Sequence, residues 1–291
     1  IFGWSARKTM SIAQKLYEEG LITYHRTDSL NISQAAVGKA RDLIAANYGQ
    51  NYLPEKARFY KTTSKVAQEA HEAIRPTNLN GKVDPGSSKY AKDEETLYDL
   101  IWKRFVACQM TASVYDETTI DVVAKKENNY LLRASGQIMK FDGWRKVIPP
   151  KKDPNSEAQQ LPEAEQNENL KLKNVETIQK FTEPPARFNE ASLIKTLEKL
   201  GIGRPSTYAP IISTIQIRNY VEKKEGKFFP TPVGTAVVDF LTEHFADVFD
   251  YQFTAGMEND LDNVANGEVK WEKSIGDFWG PFDKKLISVG K

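Results

Sequence analysis

A chain of 291 residues is too long for one small core and suits two or three domains. Its balance of 40% hydrophobic and 27% charged residues excludes a disordered or fibrous protein. The single cysteine, Cys108, excludes an internal disulfide and any cysteine-based zinc cluster. No apolar run approaches the length of a membrane span and no signal peptide opens the chain, so a cytoplasmic protein with no membrane partner is expected. The net charge of +1 hides a local imbalance, because residues 1–80 carry eleven Lys or Arg against seven Asp or Glu. Whole-chain charge therefore neither requires nor forbids nucleic acid, whose electrostatic footprint is a patch.

The chain opens on Ile1 rather than an initiator methionine, and 1–6 reads as the interior of a longer polypeptide, so an excised piece is expected. Ser5 can cap a helix to about residue 19, with Met10, Ala13, Leu16 and Tyr17 at helical spacing, and Gly20 closes it before a strand over 21–25. A second helix starts at Ser33 and stops near Gly49. A third is predicted over 67–74 and must end before Pro76, since the residue before a proline is pushed out of the helical region. A long helix spans about 89–110, with Leu97, Leu100, Ile101, Phe105 and Val106 on one face. Cys108, inside that apolar run, reads as a small core residue.

After Thr111 the texture becomes alternating and β-branched, which predicts antiparallel strands over 118–124, 130–134, 138–147 and 170–181, with a turn at 126–129. Between them 149–169 is rich in Pro, Glu, Gln, Asn and Lys without aromatics, the composition of a loop. Pro184 and Pro185 mark a boundary, and helices are predicted again over 190–200, 207–218, 232–245, 254–265 and 271–286. A displacement of 199 residues lays Ile12, Leu16, Leu21 and Ile22 over Ile211, Ile215, Tyr220 and Val221. That is a helix followed by a strand in both places, a faint repeat whose copies each resemble a winged helix-turn-helix.

The stretch with the most chemistry is Thr23-Tyr24-His25-Arg26-Thr27-Asp28-Ser29. On a strand, Tyr24 and Arg26 share a face. A phenol is a poor nucleophile near neutral pH, and a fixed guanidinium beside it favours the phenolate and holds a phosphate. By itself the pair is more often the pattern of a half-buried aromatic with a solvated neighbour. Two more stretches stand out: 67–77, Ala-Gln-Glu-Ala-His-Glu-Ala-Ile-Arg-Pro-Thr, and 201–208, Gly-Ile-Gly-Arg-Pro-Ser-Thr-Tyr. On a helix His71 and Arg75 fall on one face and can jointly meet a phosphate, or simply be surface residues; Glu72 reads as a solvated helix residue. In the third stretch Ser206 or Thr207 can cap the next helix and leave its amides to a phosphate beside Arg204. Lys195, Lys199 and Arg218 read as solvated charges, or as lining if a groove for DNA lies here, which the family resemblance named next implies.

These three stretches, in this order, resemble the signature segments of the cleavage-rejoining region of the bacterial type IA DNA topoisomerases. The likeness extends to 101–110, 141–147 and 184–188, and His25 is closer to the topoisomerase I branch than to the topoisomerase III branch, in which Pro is usual. The resemblance implies an α+β multidomain fold: two mainly helical, winged-helix-containing domains at 1–110 and 186–291, joined by part of a β-rich arch at 111–185. It implies Tyr24 as nucleophile, Arg26 and His71 as catalytic partners, and Thr23 and Asp28 as positioning or DNA-contacting residues; Asp28 can equally make an Asx-type turn with Ser29. Arg75, Lys195, Arg204, Ser206 and Thr207 would contact DNA, mainly single-stranded. The family draws Mg2+ with acidic residues of an N-terminal Toprim domain. No such Asp-x-Asp-x-Glu pattern occurs here, since Asp93-Glu94-Glu95 opens a helix where the dipole favours acids. A metal site is therefore expected outside these residues, in a Toprim partner domain. Against this stand a non-enzymatic DNA-binding module in which Tyr24 stacks on a base, a nuclease or tyrosine recombinase, and a purely structural protein.

Overall fold

The computed structural model describes residues 2–60, 71–80, 92–125, 128–150 and 161–290. Helix α1, Ala6–Glu18, begins where the Ser5 hydroxyl accepts from the Lys8 amide and turns Ala13 and Leu16 inward. Helix α2, Gln34–Tyr48, is capped in the same way by Ser33 and buries Ala36, Ala40 and Ile44, one residue per turn on a single stripe. Helix α3, Lys92–Cys108, is the spine between them. Its first half, Leu97 and Tyr98, packs with Leu16 and Ile22; its second half, Phe105 and Val106, packs with Ala40, Ile44, Met110 and Val147. Each such fully buried aliphatic chain contributes about 1.5–3 kcal/mol. The acidic start of α3 also ties back to α1, through Lys8 to Asp93 and Lys15 to Glu94, both at 2.6 Å. Cys108 is a half-buried packing residue as expected, its thiol raised in pKa by burial and its Sγ directed at the Phe105 carbonyl.

Strands β1, Val114–Lys125, and β2, Asn129–Phe141, form one long antiparallel hairpin. Two of the predicted strands are thus one, and the third ends early: after Phe141 the chain turns through Gly143–Lys146, with Trp144 donating to the Thr111 carbonyl and Tyr52 holding the Asp142 carboxylate at 2.7 Å. The strand predicted over 170–181 does not form. Its alternating residues Leu170, Leu172, Val175, Ile178 and Phe181 are exposed, and neither edge of the hairpin pairs with them. An alternating pattern makes a strand only when a partner accepts its ladder.

From residue 190 the chain is helical again. Helix α4, Glu190–Leu200, starts in a capping box between Asn189 and Ser192 and ends at Gly201 in the left-handed region. Helix α5, Tyr208–Ile217, leads into a short hairpin of β3, Val221–Lys224, and β4, Lys227–Pro230. Three helices follow: α6, Pro232–His244; α7, Tyr251–Ala265; and α8, Trp271–Val289.

The 199-residue repeat has a hydrogen-bonded counterpart. At the end of α1 the Leu21 amide donates to the Leu16 carbonyl at 2.9 Å, and at the end of α5 the Tyr220 amide donates to Ile215 at 2.9 Å. Gly20 and Asn219 both take positive φ, a conformation open to Gly and tolerated by Asn. Next, Ile22 pairs with Pro76 and Val221 with Pro230. The following threonines repeat too: Thr77 Oγ1 donates to the Gly20 carbonyl and Thr231 Oγ1 to the Asn219 carbonyl, each at 2.6 Å. In both copies a helix ends in a left-handed residue, and a distant Pro-Thr pair locks the extended residue after it.

The second copy is closed by α6, whose Gly234 lies so near the Tyr220 carbonyl that a Cβ would overlap it. Gly234→Ala is expected to destabilise the protein by about 2–3 kcal/mol, because backbone atoms must move to admit the methyl group. Urea unfolding of both proteins measures this, and an unchanged midpoint would show that α6 is not docked there.

Candidate nucleic-acid cleavage site

The segment carrying Tyr24 is not the regular strand its sequence suggests. Only Ile22 makes a bridge, to Pro76, and 24–30 is irregular. Nor is 71–77 helical: it runs extended beside 21–23, while 67–70 lie outside the described residues. The physical reason is Thr23. Its amide donates to the Arg75 carbonyl at 2.9 Å, its hydroxyl donates to the Ala73 carbonyl at 2.8 Å, and it accepts from the Arg75 amide at 2.9 Å. The Ala73 amide also donates to the Asn31 carbonyl at 2.7 Å. Backbone groups that a helix would pair internally are satisfied across the two segments instead.

Pairing these segments brings the sequence-distant residues together. The Tyr24 ring lies 5.5 Å from that of His71 and 5.2 Å, edge-on, from that of Tyr17 on α1. Arg26, exposed, reaches Gln14 of α1. Gln14 and Tyr17 are one turn apart on α1, so Tyr24 and Arg26 meet one helix face even though no strand face unites them. Arg75 does not share a helix face with His71. Its guanidinium is held by the Glu72 carboxylate at 2.5 Å, which also accepts from the Ser33 amide at the start of α2. Glu72 is thus a half-buried tie and not a solvated residue. Burial pushes its carboxyl up, but the bonds from Arg75 and Ser33 outweigh this and hold it below the ordinary range. Asp28 makes no Asx turn with Ser29, whose amide donates to the Thr27 hydroxyl oxygen; its charge is felt instead at Tyr208 of α5, a phenol raised chiefly by burial.

Gly203-Arg204 is pinned to α7. Glu258 accepts from the Gly203 amide at 3.0 Å, and the Arg204 guanidinium pairs with Asp262 at 2.6 Å while donating to the Gly203 carbonyl. Neither expected side chain caps α5: the Thr207 hydroxyl bonds Arg204 at both amide and carbonyl, and Pro210 has no amide to offer a ligand. Lys195, Ser206 and Thr207 are exposed, as are Lys199 and Arg218. Among the described residues no group of three or more His, Cys, Asp or Glu is placed to hold a metal ion, so the side chains here do not fit a Mg2+ site. No described helix is long and apolar enough to cross a membrane.

Gln14, Glu258 and Asp262 were not singled out from sequence, and Tyr17 and Glu72 were read there only as helix residues. The only available signal was the polar stripe of α1 immediately upstream of Tyr24. His25 was noted only as a branch marker, yet it is 4% exposed, with both ring nitrogens buried and unbonded beside Tyr17 and Tyr24. Burial first, and the Arg26 charge second, push its imidazole below the ordinary range.

The family model of a DNA topoisomerase matches residues 1–275. Over 284 residues the chain is 51% identical to DNA topoisomerase 1 of Pseudomonas aeruginosa and 50% identical to that of Pasteurella multocida, covering 98% of this chain and 32% of each relative. A full-length topoisomerase I from Thermotoga maritima superimposes with a TM-score of 0.76 at 35% identity, over 97% of this chain and 46% of that one. The chain therefore spans about a third of the length of the two sequence relatives.

Two outcomes are expected here. Thr23→Val, which removes both side-chain bonds to 73–75, should cost about 1–3 kcal/mol in a denaturant titration, and Thr23→Ser should recover most of it. His25→Leu should be more stable than wild type, and the gap should widen as pH falls below about 6.5, since the unfolded imidazole gains its proton before the folded one. Unfolding curves at pH 8 and pH 5.5 test this; a pH-independent gap would mean that His25 is solvated in the folded state.

Proposed function

Because this chain belongs to the bacterial type IA DNA topoisomerase family, we propose that it is the nucleophile-bearing part of an enzyme that relaxes negatively supercoiled DNA without ATP. The observation that carries this reading is that Tyr24 and Arg26 meet one face of α1 while the paired segment brings His71 beside the Tyr24 ring.

In this reading the Tyr24 oxygen attacks a backbone phosphate of single-stranded DNA. A phosphorus–oxygen bond to the phenol forms, the bond to the 3′ oxygen breaks, and the phenolic proton is balanced by the one the freed 3′-hydroxyl takes up. The product is a 5′-phosphotyrosyl link that keeps the phosphodiester energy, so resealing is the same exchange in reverse. Arg26 neutralises the charge that builds on the non-bridging oxygens, with a planar fork that suits phosphate better than an ammonium does. His71, beside the Tyr24 ring, contacts the DNA or keeps the nucleophile in line. Thr23 positions both.

Lys195, Ser206 and Thr207 line the DNA path on the other side, joined by Asp28 through its approach to Tyr208. Arg204 and Arg75 already hold carboxylates, so each meets a phosphate by exchanging one anion for another. The parts at 1–110 and 186–291 serve as the two jaws, each with a winged-helix-like unit, and 111–185 as the returning limb of an arch. Mg2+ is assigned to a Toprim domain of the longer polypeptide, where it would balance charge on the DNA phosphates. The setting is the cytoplasmic nucleoid.

The test uses the full-length polypeptide with end-labelled single-stranded DNA and Mg2+, denatured rapidly. A protein-linked band is expected for wild type and absent for Tyr24→Phe, while Arg26→Lys lowers its rate of formation about a hundredfold. No adduct, with binding equal in wild type and Tyr24→Phe, would leave a DNA-binding module in which the ring only stacks. The 291 residues alone are expected to bind DNA but not to sustain relaxation; turnover by them would overturn the assignment of the metal site.

A further inference from the structure

Glu190, the first residue of α4, is 8% exposed and joins three elements. One carboxylate oxygen accepts from the Ala6 amide at the start of α1, at 2.6 Å, and the other holds Lys223 of β3 at 2.7 Å. The first bond links residues 184 positions apart. It sets one negative charge against the positive dipole ends of both α1 and α4.

Beside this bond an open cleft of about 280 Å3 lies between α1, α4 and α5, lined by Trp4, Met10, Ile194, Pro205 and Tyr208 among others. Across the cleft the apolar side chains do not close on one another, so the Glu190 bond spans a contact with less packing than a continuous core provides. On separation the Glu190 carboxylate and Lys223 pass into water, which solvates both charges and keeps the opening reversible.

The helix that Glu190 holds is the one that serves Tyr24: α1 runs directly into the Tyr24 segment and presents Gln14 and Tyr17 to Arg26 and Tyr24. On the other side, α4 runs directly into the 201–207 loop. Thus the Glu190 to Ala6 bond sets the distance between the nucleophile and the proposed DNA path. We propose that Glu190 is a positioning residue that latches the Tyr24 jaw onto the α4–α5 jaw, and that its release from Ala6 is the step that opens the gate after cleavage. The proposal rests on the strand-passage reading above.

Glu190→Ala removes the latch but leaves the Asn189–Ser192 capping box that starts α4. In the full-length polypeptide the variant should reseal cleaved end-labelled single-stranded DNA about tenfold more slowly, a larger effect than any change in its single-turnover cleavage, so that adduct accumulates. Lys223→Met should fall between the two. Hydrogen exchange at the Ala6 amide should speed up in Glu190→Ala without matching changes in α2 or α3. Equal adduct levels and equal Ala6 protection in variant and wild type would overturn the latch. Cleavage and resealing falling together would also overturn it, in favour of a purely structural role. Absence of adduct in wild type itself would instead refute the topoisomerase reading, while the exchange measurement would still decide whether Glu190 holds α1.

Discussion

The candidate site depends on one short antiparallel contact, Ile22 against Pro76, secured by the hydrogen bonds of Thr23 to Ala73 and Arg75. Tyr24 and His71 are 47 positions apart in sequence, and among the described residues neither 24–30 nor 71–75 is a regular helix or strand. Without the clasp, His71 has no reason to sit beside Tyr24. Ile22, 1% exposed and packed on Leu16 and Leu97, anchors the clasp in the core, so the pairing draws on hydrophobic burial as well as on its hydrogen bonds.

The second helix-and-strand unit repeats that construction without the chemistry. Thr77 and Thr231 make equivalent bonds, and the extended residues Ile22 and Val221 occupy equivalent places. The position that corresponds to Tyr24 holds Lys223, whose side chain goes to Glu190. One scaffold thus presents a phenol in one copy and a structural cation in the other. The two helices α1 and α5 pack on each other, and beside them the Ala6 amide and Glu190 carboxylate join across the edge of an open cleft.

Charge is handled differently in the two candidate binding segments. Arg26 lies open to solvent, whereas Arg75 and Arg204 are already engaged by Glu72 and by Asp262 with Glu258. A half-buried guanidinium must be paired, because leaving it uncompensated costs more than the pair returns. These carboxylates therefore serve the loops first, and only the exposed cations are available to an incoming phosphate without rearrangement.

Much of the fold was legible in the chain because its signals are local. Serines at helix starts, glycines at helix ends, and apolar residues every three or four positions placed α1, α2, α3 and the helices after 190 close to where they lie. The three motif stretches were legible as well, and they pointed to the family before any geometry did. What the sequence could not decide was every feature that depends on a distant partner. The 67–77 stretch has helix-forming residues, yet its described part is extended because Thr23 accepts and donates across to it. The 170–181 stretch alternates like a strand but finds no partner, so it stays unpaired. By itself the sequence determined the family's motif stretches and most of the helical segments, since both are written in residue type and short spacing. Only the tertiary structure decided that Tyr24 meets His71 through Thr23, that Arg204 is spent on α7, and that Glu190 closes one helix pair on the other, because a hydrogen bond across 50 or 184 positions leaves no periodic trace.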